Sequence, residues 1–282
     1  MKPANTIMRF PNGLSKALTL SYDDGVVEDE RLITLMKQYG IKGTFNINSG
    51  LYRPEDTPIN PHYARLTQKD VINLYRDCDC VEVAVHGYTH PFLEKLSSPQ
   101  ATYEIIKDRE CLEAQFGRIV RGMAYPYGTF NDETVEILRT CGIAYSRTVK
   151  STEKFDIPTD WLRLNPTCHH NDEKLPQLTQ KFLEKQHKPK DQPWLFYLWG
   201  HTFEFTHNNN WHVIENFFEA VNGKDDVWYA TNIEIYNYVQ AYNNLVFSVD
   251  MQRVHNPSAM TVWFTCHGKL ISIAPGETVA LD

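Results

Sequence analysis

The sequence predicts an α/β fold: parallel strands joined by helical crossovers, followed by a short β-rich extension. Three observations carry this. Strand-length apolar runs alternate with amphipathic helical stretches, the pattern of successive β-α-β units. Several of those apolar runs end abruptly in polar residues. From Leu245 the rhythm changes to short β-like runs between turns.

Residues 1–16 read as an irregular lead-in. Ala17 to Tyr22 is a short buried strand that runs into Asp23-Asp24-Gly25. Neighbouring strand side chains point to opposite faces, so two acids at a strand end can diverge, one binding something and the other acting on it. Gly25 supplies the backbone freedom for a sharp turn. Asp-Asp-Gly alone also fits two solvated loop acids ahead of a helix. A helix follows over 28–39, with Leu32, Ile33, Leu35 and Met36 on its apolar face and Gly40 as its stop. A strand covers 41–47. Residues 50–66, rich in Pro, His and Arg, read as a loop over the mouth of the fold. Thr67 caps a helix to 77, with Asp70 at its third position.

Val81–Val85 is the next strand and runs into His86-Gly87-Tyr88-Thr89-His90. Two histidines four apart can bring both rings to one side. With one carboxylate they make an open metal site with three protein ligands. Ser98 caps a helix, with Pro99 at its first position, that reaches about Phe116 and ends at Gly117. Another strand-like stretch ends in Ala124-Tyr125-Pro126-Tyr127-Gly128. Asn131 and Asp132 open a helix closed by Gly142. Strands over 143–148 and 161–164 flank a loop over 149–160. A helix over 175–185 and a Lys188-Pro189-Lys190 turn lead to the apolar run Trp194 to Trp199, which ends in Gly200-His201. A polar loop over 206–211, a helix over 213–221, a strand over 227–230 and a helix over 232–242 complete the main body. Strands over 245–249, 259–266, 270–274 and 278–281 make the extension. The division is therefore 1–243 for the main domain and 244–282 for a β extension packed on it.

The 282 residues, 42% of them hydrophobic, suffice for one large domain with an appendage. A net charge of −7 argues against nucleic acid as a partner, since phosphate binding needs a basic face. Six scattered cysteines do not form a disulfide framework. No apolar run approaches a membrane span, and Arg9, Asn12 and Lys16 interrupt the opening, so a cytoplasmic protein without a signal peptide is expected. Oligomeric state is not legible.

With these runs in hand, the chain resembles the polysaccharide deacetylases, the NodB-homology domain of carbohydrate esterase family four. Ser21 to Gly25 resembles that family's first motif, His86 to His90 its second and Ala124 to Gly128 its third. Asp160-Trp161 resembles the fourth and Leu198 to His201 the fifth. The five stand in family order over about residues 17–201. The resemblance implies a distorted, incomplete (β/α) barrel of the NodB type, with its site at the C-terminal strand ends.

It also implies a metal-dependent hydrolase that removes an N-acetyl or O-acetyl group from a carbohydrate. Asp24, His86 and His90 would hold one divalent ion, zinc foremost, with cobalt, nickel or manganese as alternatives. Asp23 would be the general base and His201 the acid for the leaving amine. The main-chain N–H of Tyr127 would stabilise the oxyanion, and Asp160 would keep His201 protonated. Tyr125, Pro126, Trp161 and Leu198 would line the substrate site.

Four departures stand out. Tyr22 replaces a usual Phe, and Gly87 replaces a Ser or Thr whose side-chain hydrogen bond is lost. Gly200 replaces a Leu and widens the acyl pocket. Ala124 stands where the family's arginine pairs with the base. If 161–164 is a strand, Arg163 shares a face with Trp161, and its planar fork suits the grip on Asp23 that Ala124 cannot provide. Arg121 and Arg147 are the other candidates. Cys168-His169-His170 and Cys78-x-Cys80 contain ligand types but lack a matching second pair at zinc-site spacing. His169 and His170 therefore read as substrate-facing or plain loop residues. Two further functions fit the sequence: hydrolysis of a small cyclic amide or ureide, and a carbohydrate-binding protein with a vestigial site.

Overall fold

The computed structural model describes residues 6–60, 64–76 and 78–281. Its strands are β1 (Thr6–Arg9), β2 (Lys16–Asp23), β3 (Gly43–Ile47), β4 (Val81–Val85), β5 (Gly122–Ala124), β6 (Tyr145–Arg147), β7 (Cys168–His169), β8 (Trp194–Gly200), β9 (Val227–Tyr229), β10 (Val246–Phe247), β11 (Arg253–His255), β12 (Val262–Cys266), β13 (Lys269–Ile273) and β14 (Thr278–Ala280). Its α-helices are α1 (Asp29–Tyr39), α2 (Gln68–Tyr75), α3 (Ser98–Phe116), α4 (Asp132–Thr140), α5 (Leu175–Glu184), α6 (Thr202–His207), α7 (His212–Val221) and α8 (Asn232–Asn243).

Seven parallel strands in the order β6-β5-β4-β3-β2-β8-β7 curl into an incomplete barrel. Short β9 pairs with the start of β2, over Lys16 to Leu18, before β3 begins its pairing at Leu20. β2 is buried along its whole length and shows why the sheet has two working faces. Leu18, Leu20 and Tyr22 enter the core that also holds Leu32, Ile33 and Met36 of α1. Thr19, Ser21 and Asp23 lie on the opposite, concave face, among polar partners. α1 ends where Gly40 adopts φ 65 and returns its N–H to Met36 O.

The lower concave face is plugged by the start of α8. Asn232 Oδ1 accepts from Thr19 Oγ1 at 2.7 Å, and its Nδ2 donates to Tyr197 Oη at 2.7 Å. Tyr238 of α8 donates to Arg9 O at 2.6 Å and accepts from Trp263 N at 2.9 Å, so one phenol ties the barrel to β1 and β12.

Several elements differ from expectation. The lead-in contains β1, because Ile7 and Met8 can be buried against β12, whose other edge is taken by β13. β10, β11 and β14 form a second small sheet. α2 starts at Gln68 with Thr67 Oγ1 accepting from Asp70 N at 3.1 Å; Asp77, the expected end, lies outside the described residues. The cap of α3 is Ser97, one residue before the expected Ser98. Residues Trp161–Arg163 close a single 3-10 turn instead of a strand. The chain enters α6 directly after His201, where a polar loop from 206 was the expectation. All six cysteines are unpaired. Among the described residues no helix is long and apolar enough to cross a membrane.

One buried carboxyl on the concave face has a testable consequence. Glu82 accepts from Tyr145 Oη at 2.7 Å, Thr44 Oγ1 at 2.8 Å and Ile233 N at 2.9 Å. Burial outweighs these bonds and pushes its carboxyl up to about 7. A raised acid favours its protonated form in the fold, so its stabilisation is complete below the unfolded value near 4 and is lost as pH rises through about 7. Glu82→Gln cannot ionise. In metal-free protein it should be more stable than wild type at pH 8, relative to pH 5, by on the order of 1–3 kcal/mol. Urea melts at both pH values check this, and an identical mutant–wild-type difference at each would refute it.

Candidate metal and catalytic centre

The C-terminal ends of β2, β4, β6 and β8 bring the site together, as parallel barrels place their sites. Asp23 is the last residue of β2. Asp24 turns out of the strand at φ 86, which sends the two carboxylates different ways. Asp24 Oδ1 lies 3.9 Å from His86 Nε2 and 3.8 Å from His90 Nε2. The His86 and His90 rings meet edge to face at 4.8 Å. His86 Nδ1 is 2.8 Å from Ala124 O, so Nδ1–H donates there and Nε2 keeps its lone pair. Burial lowers the pKa of both rings, His90 to about 4, and leaves them neutral at pH 7. One carboxylate and two neutral imidazoles, with their ligand atoms within 4.8 Å of one another, fit a divalent ion of the zinc type.

The turn between the histidines requires its glycine. Gly87 sits at φ 75, and a Cβ there would stand 3.2 Å from Pro126 and 3.3 Å from Pro91. A Ser or Thr would be strained at this point, so the departure at 87 is conformational. Tyr127, itself at φ 57, presents its ring to His90 at 4.4 Å and stacks on Phe92 at 3.9 Å.

Asp23 is buried and separately held. Arg147 Nη2 donates to its Oδ2, and Asn46 Nδ2 donates to Oδ1 at 2.8 Å. Burial alone would raise this carboxyl; the Arg147 guanidinium, by charge and by hydrogen bond, is the main group that outweighs burial and holds it at about 2. Arg147 is itself buried. Its Nε donates to Ser21 Oγ at 3.2 Å and its guanidinium lies 4.2 Å from the Trp199 ring centre. The expectation that Arg163 grips Asp23 is therefore corrected. Arg163 stands on the 3-10 turn and pairs with Asp160 at 2.8 Å and Asp132 at 2.6 Å. Parallel register places Arg147 directly beside Ala124, so the guanidinium missing from β5 arrives from the next strand.

His201 approaches from the far side, with Nε2 3.8 Å from Asp23 Oδ2. Its Nδ1–H donates to Glu204 Oε1 at 3.0 Å. Asp160 does not take this place, because Arg163 holds it. Burial alone would lower the His201 pKa; Glu204, Asp23 and Asp24 more than offset it and raise it. Glu204 also has His169 Nε2 at 3.1 Å and His170 Nε2 at 2.9 Å, both from Oε2. His169, His201 and Glu204 have metal-ligand spacing. However, His169 Nδ1 accepts from Asn171 N at 3.1 Å, so its proton sits on Nε2 and points to the carboxylate. Glu204 is thus an anion among three imidazoles, with its hydrogen bonds from His201 Nδ1 and Asn171 Nδ2, and it is held far below the usual carboxylate range despite its burial.

The expected substrate residues divide. Pro126 is buried against the Gly87 turn, and Tyr127 is half exposed beside His90. Tyr125 is buried, with its hydroxyl on Leu162 O at 2.7 Å and its ring on Phe130, which is a packing role. Leu198 faces the helix-side core, since strand alternation gives the concave face to Tyr197 and Trp199. Trp161 packs edge-on against Tyr236 of α8 and not against Asp23 or Asp24. Gly200 does not widen an acyl pocket: a Cβ there would stand 2.1 Å from His170 Nδ1, so glycine makes room for that ring.

The sequence profile of the polysaccharide deacetylase family matches residues 11–146. No curated protein matches the chain. Among solved structures, a Mycobacterium smegmatis protein assigned as a polysaccharide deacetylase superposes with TM-score 0.59 at 17% identity, over 86% of this chain and 96% of that one. A Streptococcus pyogenes deacetylase, solved with acetate, gives TM-score 0.45 at 24% identity over 51% of this chain, and the match spans 61% of its length. A Bacillus anthracis pseudoenzyme of carbohydrate esterase family four gives TM-score 0.49 at 20% identity, over 82% of this chain and 68% of that one.

Proposed function

We propose, from the premise that this chain carries a polysaccharide deacetylase domain of the NodB type, that it is a metal-dependent hydrolase that removes acetyl groups from an acetylated carbohydrate. The observation that carries this reading is the division of labour between adjacent acids. Asp24 faces two neutral imidazoles, while Asp23 stands beside them with its own arginine. A divalent ion held by Asp24, His86 and His90 would polarise the acyl oxygen and acidify a water molecule.

Around it the chain's own residues move the protons. Asp23, kept ionised by Arg147, accepts the proton of the attacking water. The main-chain N–H of Tyr127 is the protein donor toward the oxyanion of the tetrahedral adduct. His201 gives its Nε2 proton to the leaving nitrogen as the C–N bond breaks, leaving a carboxylic acid and an amine. An ester substrate follows the same course with an alcohol as the leaving group. Glu204 holds the opposite ring nitrogen protonated, so the acid keeps one orientation and its charge.

Protein purified without chelator is expected to hold close to one divalent ion per chain. His86→Ala or His90→Ala should lose it, and elemental analysis showing full metal in both variants would end the assignment. Metal-loaded protein is expected to release acetate from N-acetylated oligosaccharides. Ring opening of small cyclic amides or ureides without acetate release would favour that chemistry instead. Sugar binding without turnover would identify a vestigial site.

A further inference from the structure

We propose that Arg65 is the positioning residue for Asp24, holding both the carboxylate and the left-handed backbone that present it to the ion. This rests on the reading that Asp24, His86 and His90 bind metal. The chain after Asp24 pairs with the segment ahead of α2: Val26 and Arg65 form an antiparallel bridge, Leu66 N donates to Gly25 O at 2.9 Å, and Val27 N donates to Ala64 O at 2.9 Å. That pairing delivers Arg65 to the site with its side chain 14% exposed. Arg65 Nη1 donates to Asp24 O at 2.6 Å and to Asn48 Oδ1 at 2.8 Å, and Nη2 donates to Asp24 Oδ1 at 3.1 Å.

Asp24 is a non-glycine residue at φ 86, a conformation that persists only where the surroundings impose it. Here one guanidinium grips its carbonyl and its carboxylate together. Through Asn48 the same group reaches the other ligands, because Asn48 Nδ2 donates to His86 O at 2.5 Å and Gly87 O at 2.7 Å. Asp24 and the turn that carries both histidines therefore share one arginine-centred bracket. A carboxylate oxygen has two lone pairs, so Oδ1 can accept from Arg65 and still ligate. The two acids thus divide two arginines, Asp23 with Arg147 and Asp24 with Arg65.

The test is a chelator-competition titration of metal-free protein with Zn2+. Arg65→Ala should weaken affinity about 10- to 100-fold, the usual effect of removing a partner that orients a ligand. The melting temperature of the metal-free variant records the folding cost of the lost bonds separately from the metal affinity. Arg65→Lys should fall between the two, since one ammonium cannot span carbonyl, carboxylate and amide. Unchanged or tighter binding in Arg65→Ala would overturn the proposal, because the guanidinium would then act mainly by opposing the ion's charge. If Arg65→Ala fails to fold, wild-type affinity in Arg65→Lys overturns it instead. His86→Ala separates the two levels: metal retained there defeats the metal reading itself, whereas metal lost there but kept in Arg65→Ala defeats only the role of Arg65.

Discussion

Asp23→Asn protein should keep its ion and lose turnover by a factor of about 10² to 10⁴, the usual worth of a positioned proton acceptor. Asp24→Asn should fail earlier, at metal binding. The geometry behind this contrast is the turn at Asp24, which sends one carboxylate to the imidazoles while Asp23 stays on the strand face. Arg147 and Asn46 each donate to Asp23, so the amide that replaces the carboxylate must set its own N–H against one of those donors. That adds a folding cost, and metal content together with a melt of the variant separates it from lost chemistry. A carboxyl held at about 2 accepts a proton poorly from free water. Removing the ion should therefore abolish turnover as fully as removing Asp23. Near wild-type kcat in metal-loaded Asp23→Asn would refute the assignment.

The parts of this site readable from sequence are those carried by local chemistry at strand ends. Asp23, Asp24, His86, His90 and His201 each follow an apolar run, and parallel sheets gather such ends on one rim. The partners of those residues were harder to read, because each depends on register or on a local turn. Arg147 lies beside Ala124 only because β6 pairs with β5 in that register, and sequence separation does not encode register. Arg163 would share a strand phase with Trp161, but the 3-10 turn at Trp161–Arg163 cancels that phase and points its guanidinium at Asp160 and Asp132. Glu204 carries a local signal, the three-residue spacing from His201 that places two side chains on one helical face. Arg65 left none, since a stretch rich in Pro, His and Arg does not reveal its pairing with Val26.

Replacing His201 by alanine should lower kcat on an amide about 10²- to 10⁴-fold with metal retained. The loss should be much smaller on an activated ester, whose leaving group departs without a proton. Glu204→Gln tests the same step by another route. The Glu204 charge and its bond to Nδ1 raise the His201 pKa against burial, so their removal should let it fall. The basic limb of the amide pH–rate profile reports deprotonation of the acid and should therefore move to lower pH in Glu204→Gln. His170 is fully buried between the rings of Phe205 and Tyr22, with its pKa lowered to about 4, so it stays neutral and adds no charge of its own beside His201. Asp160→Asn, by contrast, should leave that limb in place, since Asp160 is held by Arg163. Equal losses on amide and activated ester in His201→Ala would show that His201 binds substrate and protonates nothing, and a limb that moves with Asp160 and not with Glu204 would show that Asp160, not Glu204, sustains the charge of His201.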